Sequence, residues 1–442
     1  MSYCSIDITH DNKTISNNQN NLSQYETFFA ENKFVRNLQI CLLDNIFKLL
    51  LPIYFTTIRN SGDLKHLLQC NKIINKIMLK KFISLIEFPL SDIQKWSHEK
   101  INKVYLVSVN HDDYANFNNL CLPSYLRELR FADSFNSPLV KNIFPKSLTK
   151  ITFSESFNKP LEPNILPENL TVIVFGSLFN QPIYPNVLPK NITILTFGYE
   201  FNQSLFKDSL PEKLEILLFG DDFNHSICKD ILPKTLKCLT FPYFSDFDQS
   251  INENVLPTNL TNLIFGYDFN QPLQINCLPS GLQYLEFGAS FNQNLTHGVL
   301  PINLITLKFG TLYNKPISEN ILPSGLQYLD LGGMYNQFLK HNVLPNNLTT
   351  LKMSSFYNQP IFENILPQKL TNLEFGNNFN QKIIPGILPE NLTQISFGRE
   401  FKQPLDKSIL PKNLSVLIVH YDYSLLLKEK ELPENIQVTF TK

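Results

Sequence analysis

Proline falls on a fixed beat from Pro123 to Pro433, always 22 residues apart except for the 24 between Pro233 and Pro257. Each of these prolines follows Leu or, once, Phe144. Seven more, Pro138, Pro160, Pro182, Pro272, Pro316, Pro360 and Pro404, keep a second register within the same unit. So 22 of the 28 prolines occupy two positions of one repeat. A chain of 442 residues would ordinarily divide into about three globular domains. A period this regular instead demands an array, in which each unit is completed by its neighbours.

Over the thirteen units between Pro123 and Pro411 the unit has a constant interior. Counting from its proline, the third residue is Leu or, at Ile192, Ile, and the sixth is Leu or Ile. The eighth is Phe, with Leu331 and Met353 as the exceptions. The twelfth is Phe or Tyr, shifted to Phe247 in the long unit, and Asn follows it except at Asp248 and Lys402. The sixteenth is always Leu or Ile, Ile251 standing there once the insertion is counted. The alternation over the sixth to eighth residues predicts a short strand with one face inward. Gly176, Gly220 and Gly376, each just after that strand, are expected to make positive-φ turns. Proline in two registers fits a return path where no ladder N–H is needed. One strand per 22 residues cannot bury six apolar side chains alone, so the units are expected to stack around one parallel sheet.

The motif Phe269-Asn270-Gln271-Pro272-Leu273, followed by Leu278-Pro279, resembles the FNIP repeat, a unit of about 22 residues similar to leucine-rich repeats. The resemblance implies an α/β repeat solenoid, a leucine-rich-repeat-like stack with one parallel sheet behind a small helical domain. In an ordinary leucine-rich repeat the ladder Asn would stand two residues earlier, where this chain has Asp268 and Ser290. An internal Asn ladder that satisfies backbone groups is still the expected role of the Asn repeated in this register. The organisation read from the sequence is a polar tail over 1–33, a helical segment over 34–100 and a degenerate first unit over 101–122. The repeats run over 123–411, and a last unit with its cap over 412–442. Ile101, Val104 and Leu106 read as the degenerate strand; Tyr421, Leu425, Leu426, Leu427, Val438 and Phe440 read as the cap.

If the sixth and eighth residues face inward, the fifth and seventh face out, on the concave side of the sheet. These positions vary along the array. Early units carry Val172, Val174, Ile194, Ile216, Leu218 and then Ile264. Later ones carry Glu286, Lys308, Asp330, Lys352 and Glu374 at the seventh position, with signs alternating rung by rung. Tyr284 and Tyr328 stand at the fifth position. One reading is self-stabilisation, since opposite charges on adjacent strands contribute roughly 0.2–1 kcal/mol per pair. The other is a two-part binding surface, apolar early and charged with aromatic anchors later. The long unit adds two residues among Pro242-Tyr243-Phe244-Ser245-Asp246, expected as a small tolerated bulge exposing Tyr243 or Phe244.

Residues 34–100 leave the beat. Leu38, Cys41, Leu42, Ile46, Leu49 and Leu50 recur at helical spacing, as do Leu64, Leu67, Leu68, Ile73, Ile74 and Ile77. A helical cap for the array is the plain reading. The run Asp44-Asn45-Ile46-Phe47-Lys48-Leu49-Leu50, then Asp63-Leu64-Lys65-His66-Leu67-Leu68-Gln69-Cys70-Asn71-Lys72-Ile73, also resembles an F-box. No Leu-Pro opens it and its linker, 52–62, is long. That resemblance implies a substrate adaptor that docks a Skp1-type subunit of a cullin ubiquitin ligase. Leu43, Ile46, Leu50, Leu64, Leu68 and Ile73 would supply or support the docking face.

Three function classes compete: a ligase adaptor, a protein-binding scaffold without a ligase link, and an enzyme. No phosphate loop, nucleophile elbow or metal-ligand pair speaks for the enzyme, so no cofactor is expected. With 38 Lys+Arg against 39 Asp+Glu, nothing in the overall charge points to nucleic acid. No run of 18 apolar residues predicts a membrane span, and residues 1–33 do not read as a signal peptide. Seven Cys without a C-x-x-C pair fit reduced, mostly buried thiols, which places the expected location inside the cell, in the cytoplasm. Triplets such as Asn169-Leu170-Thr171 arise from the repeat and are not read as glycosylation sites.

Overall fold

The structure is a computed structural model that describes residues 108–109, 122, 124, 126–131, 135–425, 432–433 and 435–441. The candidate docking residues Leu43, Ile46, Leu50, Leu64, Leu68 and Ile73, with the rest of the helical segment, lie outside the described residues. So do Ile101, Val104, Leu106, Leu426 and Leu427.

Sixteen strands make one sheet in chain order. It opens with β1 (Ser108–Val109), β2 (Glu128–Phe131), β3 (Lys150–Thr152) and β4 (Val172–Val174). It closes with β15 (Val416–His420) and β16 (Gln437–Thr441). Every neighbouring pair is parallel, and Val172, for example, pairs with Lys150 before it and Ile194 after it. From β3 on, most strands are three residues long, the fifth to seventh of the unit, because alternation lasts no longer than that. The expected α/β solenoid is, among the described residues, a β solenoid. Their one helical element is the 3-10 turn Tyr421–Leu425. The return path is built from turns instead: Leu170 N–H donates to Pro167 C=O at 3.2 Å, and the same bond recurs in successive units.

The core is one continuous column. Leu170 and Ile173 are fully buried, as are their counterparts in unit after unit. Two aromatic files run along it. The eighth-position rings stack from Phe131 to Phe309, for example 5.1 Å between Phe153 and Phe175. The twelfth-position rings stack from Phe135 to Phe401, for example 6.0 Å between Phe157 and Phe179. The files also touch within a rung, at 3.7 Å between Phe197 and Phe201. Leu331 and Met353 interrupt the first file where the second carries Tyr335 and Tyr357. Each fully buried Phe or Leu contributes roughly 1.5–3 kcal/mol, and the rings pack both within a rung and against the next one.

The glycine expectation is corrected. Gly176, Gly220 and Gly376 do not take positive φ. They are needed because consecutive turns nearly touch: a Cβ on Gly176 would fall 1.7 Å from the Ser154 carbonyl oxygen. The left-handed residue of the unit is the nineteenth, at Asn142, Asn164, Asn186, Asp208, Asp230 and onward, with φ near 65° at Asn164's neighbour Asn186. Asn and Asp tolerate that conformation because a short polar side chain offsets its cost. Gly298 and Gly386 substitute for them at the same position, with φ of 83° and 88°.

The Asn ladder exists, but at the margin of the core. Asn180 Oδ1 accepts the Asn202 backbone N–H at 3.0 Å, and Asn202 Oδ1 accepts that of Asn224 at 3.1 Å. The series runs from Asn136 to Lys402, with Asp248 acting as acceptor for Asn270 at 2.8 Å. Gln at the next position doubles the bond, Gln203 Nε2 donating to Asn180 Oδ1 at 2.9 Å. These Asn are exposed or half-buried, not internal as expected. The Asn of the glycosylation-like triplets is occupied too, Asn169 Nδ2 donating to Lys146 C=O at 2.7 Å.

Candidate binding face

The strand puts its middle residue inside and its two flanking residues out. Ile173, Leu217 and Leu329 are fully buried, while Val172, Val174, Ile216, Leu218, Tyr328 and Asp330 are half-buried. Parallel in-line register then aligns equivalent residues as straight columns across the sheet. Val172, Ile194 and Ile216 make one apolar column. Beside it, Val174 and Leu218 alternate with Thr196 and Thr240 up to Ile264. The apolar half of the expected surface is thus contiguous and accessible.

The charged half is more self-contained. Glu286, Lys308, Asp330, Lys352 and Glu374 are successive register partners in one column. Lys308 Nζ lies 3.2 Å from Glu286, and Lys352 Nζ lies 2.9 Å from Glu374. Asp330, between them, makes no ion pair within 4.0 Å among the described residues and turns instead to accept the Gly332 N–H at 2.9 Å. Burial raises the Asp330 carboxyl pKa, against the opposing pulls of that N–H, Lys352 and Lys308. On Lys352 burial acts downward, but the hydrogen bond and charge of Glu374 outweigh it and the pKa rises.

Tyr284 and Tyr328 differ in kind. Tyr284 is 6% exposed, donates its hydroxyl to Glu286 and carries Lys308 Nζ 5.3 Å above its ring. Tyr328 is half-buried. Burial raises both phenols, with Glu286 adding to it at Tyr284 and Asp330 at Tyr328. Tyr284, Glu286 and Lys308 therefore form a closed trio, whereas Tyr328 keeps part of its ring available.

Exposed aromatic residues flank this face: Tyr243 and Phe244 are those expected on the bulge of the long unit, while Tyr199 and Tyr267 are not singled out by the sequence. Tyr199, Tyr243, Phe244 and Tyr267 all stand exposed on the turn after the strand. They belong to variable tenth and eleventh positions, which the search for periodicity leaves aside.

A single parallel sheet, one strand per turn, an interior of Leu and Phe and a surface Asn ladder define a leucine-rich-repeat-like solenoid. The FNIP repeat model matches seven successive segments, 116–156, 157–200, 201–244, 247–290, 291–334, 335–378 and 379–422, each about two units long. The chain belongs to the FNIP repeat family. Among solved structures, CroV588, described as a novel circular LRR protein, is 37% identical with a TM-score of 0.61 over 77% of this chain. This chain spans 56% of that one. YopM from Yersinia enterocolitica WA-314 is 17% identical, with a TM-score of 0.41 over 76% of this chain and 85% of its own. An internalin, InlF, from Listeria monocytogenes is 17% identical, with a TM-score of 0.45 over 78% and 96%. No curated protein matches the chain.

The array is a repeat scaffold of the kind used for binding other proteins. Among the described residues, no helix is long and apolar enough to cross a membrane.

Proposed function

We propose that this chain is a cytoplasmic substrate-recruiting adaptor of a cullin-type ubiquitin ligase. The solenoid presents a protein substrate, and residues 44–73 dock a Skp1-type subunit. The observation that carries the binding half is the division of labour within the unit. Third, sixth, eighth and twelfth residues repeat and are buried, while fifth and seventh residues face out and differ from rung to rung. A surface made only to hold itself together would repeat as faithfully as the core does. The apolar columns through Val172, Ile194 and Ile216 and through Val174, Leu218 and Ile264 form the first contact area. Tyr328 with the charged column to Glu374 forms the second, tuned by charge.

The ligase half is supported by the F-box resemblance of the segment that precedes the array. The test is affinity capture of the full chain with a purified Skp1-type subunit, beside the Ile46→Asp variant. Capture by the native chain and loss in the variant supports the adaptor. Failure of the native chain to bind leaves a scaffold with no ligase link.

A further inference from the structure

The two residues that lengthen one unit build a feature the other rungs lack. Tyr243 and Phe244 project at 67% and 68% exposure, and their rings meet edge to face at 4.9 Å. Tyr267, on the next rung, lies 6.3 Å from Tyr243. Tyr199 stands on the same edge two rungs earlier. The backbone beneath these rings is tied rung to rung. Tyr267 N–H donates to Tyr243 C=O at 2.9 Å, Asp246 N–H to Asp221 C=O at 2.7 Å and Asp222 N–H to Tyr199 C=O at 3.0 Å. Four exposed aromatic rings therefore stand on a turn edge whose backbone the array ties together.

Charge along this edge is one-sided. Glu200, Asp221, Asp222, Asp246 and Asp268 are interleaved with the rings, and no Lys or Arg occupies the turn residues 199–200, 221–222, 243–246 or 267–268. None of the five carboxylates forms an ion pair within 4.0 Å among the described residues. This contrasts with the strand face, where Lys308 and Lys352 each find a carboxylate. Burial and then mutual repulsion raise the pKa of Asp221 and Asp222, in keeping with that crowding.

Rigid aromatic faces beside uncompensated carboxylates complement one chemistry: Arg or Lys side chains on an extended chain. A guanidinium or ammonium group is attracted both by the ring face and by the acid beside it. Four rungs at about 4.8 Å span about 14 Å, the length of four to five extended residues at about 3.3 Å each. We propose that the ridge from Tyr199 to Asp268 docks a basic, extended segment of a partner protein. The proposal rests on the protein-binding reading, but it uses the turn edge, not the strand face. A polyphosphate partner would meet repulsion from the same five acids.

The test is fluorescence anisotropy of a fluorescein-labelled nonapeptide of alternating Arg and Ser, titrated with the full chain at low ionic strength. Two variants accompany it: Asp221→Asn/Asp222→Asn/Asp246→Asn, and Tyr243→Ser/Phe244→Ser. A strand-face control is Val172→Ser/Ile194→Ser. Saturable binding is expected, weakened about tenfold in each ridge variant and unchanged in the control. Its salt dependence should flatten in the Asn variant, and an alternating Glu-Ser peptide should not bind. No binding by the native chain, or native affinity in either ridge variant, overturns the proposal and leaves the strand-face reading standing. Loss in the control alone overturns it in favour of the strand face.

Discussion

Replacing Tyr335 by Phe should stabilise this protein, although it removes a polar group and adds nothing. Tyr335 is fully buried in the twelfth-position stack, with Tyr313 at 6.0 Å and Tyr357 at 6.4 Å. Its hydroxyl has no hydrogen-bond partner among the described residues. The Ile317 N–H faces it without reaching hydrogen-bond geometry, and burial pushes the phenol up to about 12. Burying an unpaired hydroxyl costs about 1–3 kcal/mol. Phe keeps the ring in the stack and vacates only one oxygen's volume, a cavity cost below about 1 kcal/mol. The net expectation is a gain of about 1 kcal/mol. Tyr313 and Tyr357, whose hydroxyls are also unpaired, should behave alike. Tyr423 supplies the control. It stands at the same position of the last unit, but its hydroxyl donates to Gln403 C=O at 2.6 Å, so Tyr423→Phe should lose about 1 kcal/mol. Urea unfolding of the full chain, followed by circular dichroism, reads the two shifts as opposite changes in midpoint at unchanged slope. If Tyr335→Phe lowers the midpoint as Tyr423→Phe does, the hydroxyl is paired and the reasoning is wrong.

Phe201→Ala empties a fully buried site that touches Phe197 at 3.7 Å and Phe223 at 6.1 Å, and should cost about 3–5 kcal/mol by the same unfolding assay. Asn202→Ala removes the acceptor of the Asn224 N–H and should cost about 1 kcal/mol, with faster amide exchange at Asn224 as its local signature. Asp330→Asn tests the sign of a buried charge. A carboxyl whose folded pKa is raised binds its proton more tightly when folded, so its presence lowers stability as pH rises through that pKa. The Asn variant should therefore be the more stable at neutral pH, and the difference should vanish in acid; a difference that persists below pH ~4 contradicts the sign.

Most of the frame was legible because the repeat reports it many times over. Strand position, inward face and aromatic file all follow from the third, sixth, eighth and twelfth residues. The structure reproduces them because register in a parallel stack is locked by that same buried set. Reasons were harder to read than positions. Gly176 was recognisable as special, but from sequence a tight approach to the Ser154 carbonyl looks the same as a positive φ. The true left-handed site is held by Asn and Asp, which are also plausible anywhere on a surface. The Asn ladder was legible as a bonding pattern but not as a surface one, since a column of equivalent residues carries no mark of its depth. The variable face was found by its lack of pattern, yet which of its residues pair among themselves depends on side-chain geometry. Tyr284 and Tyr328 are equal in sequence, but only Tyr284 is closed off by Glu286 and Lys308. The bulge exposing Tyr243 and Phe244 was legible from the two inserted residues, but its continuation through Tyr199 and Tyr267 was not, because those residues occupy variable turn positions.

The central claim is that recognition lies on the outward residues of the strands while the repeated residues only hold them up. Partners captured by the native full chain and quantified by mass spectrometry can be compared with those of a Val174→Ser/Leu218→Ser/Ile264→Ser variant. The account predicts that this variant keeps a cooperative urea transition but loses its captured protein partners. Retention of the full set of partners at native affinity would contradict it.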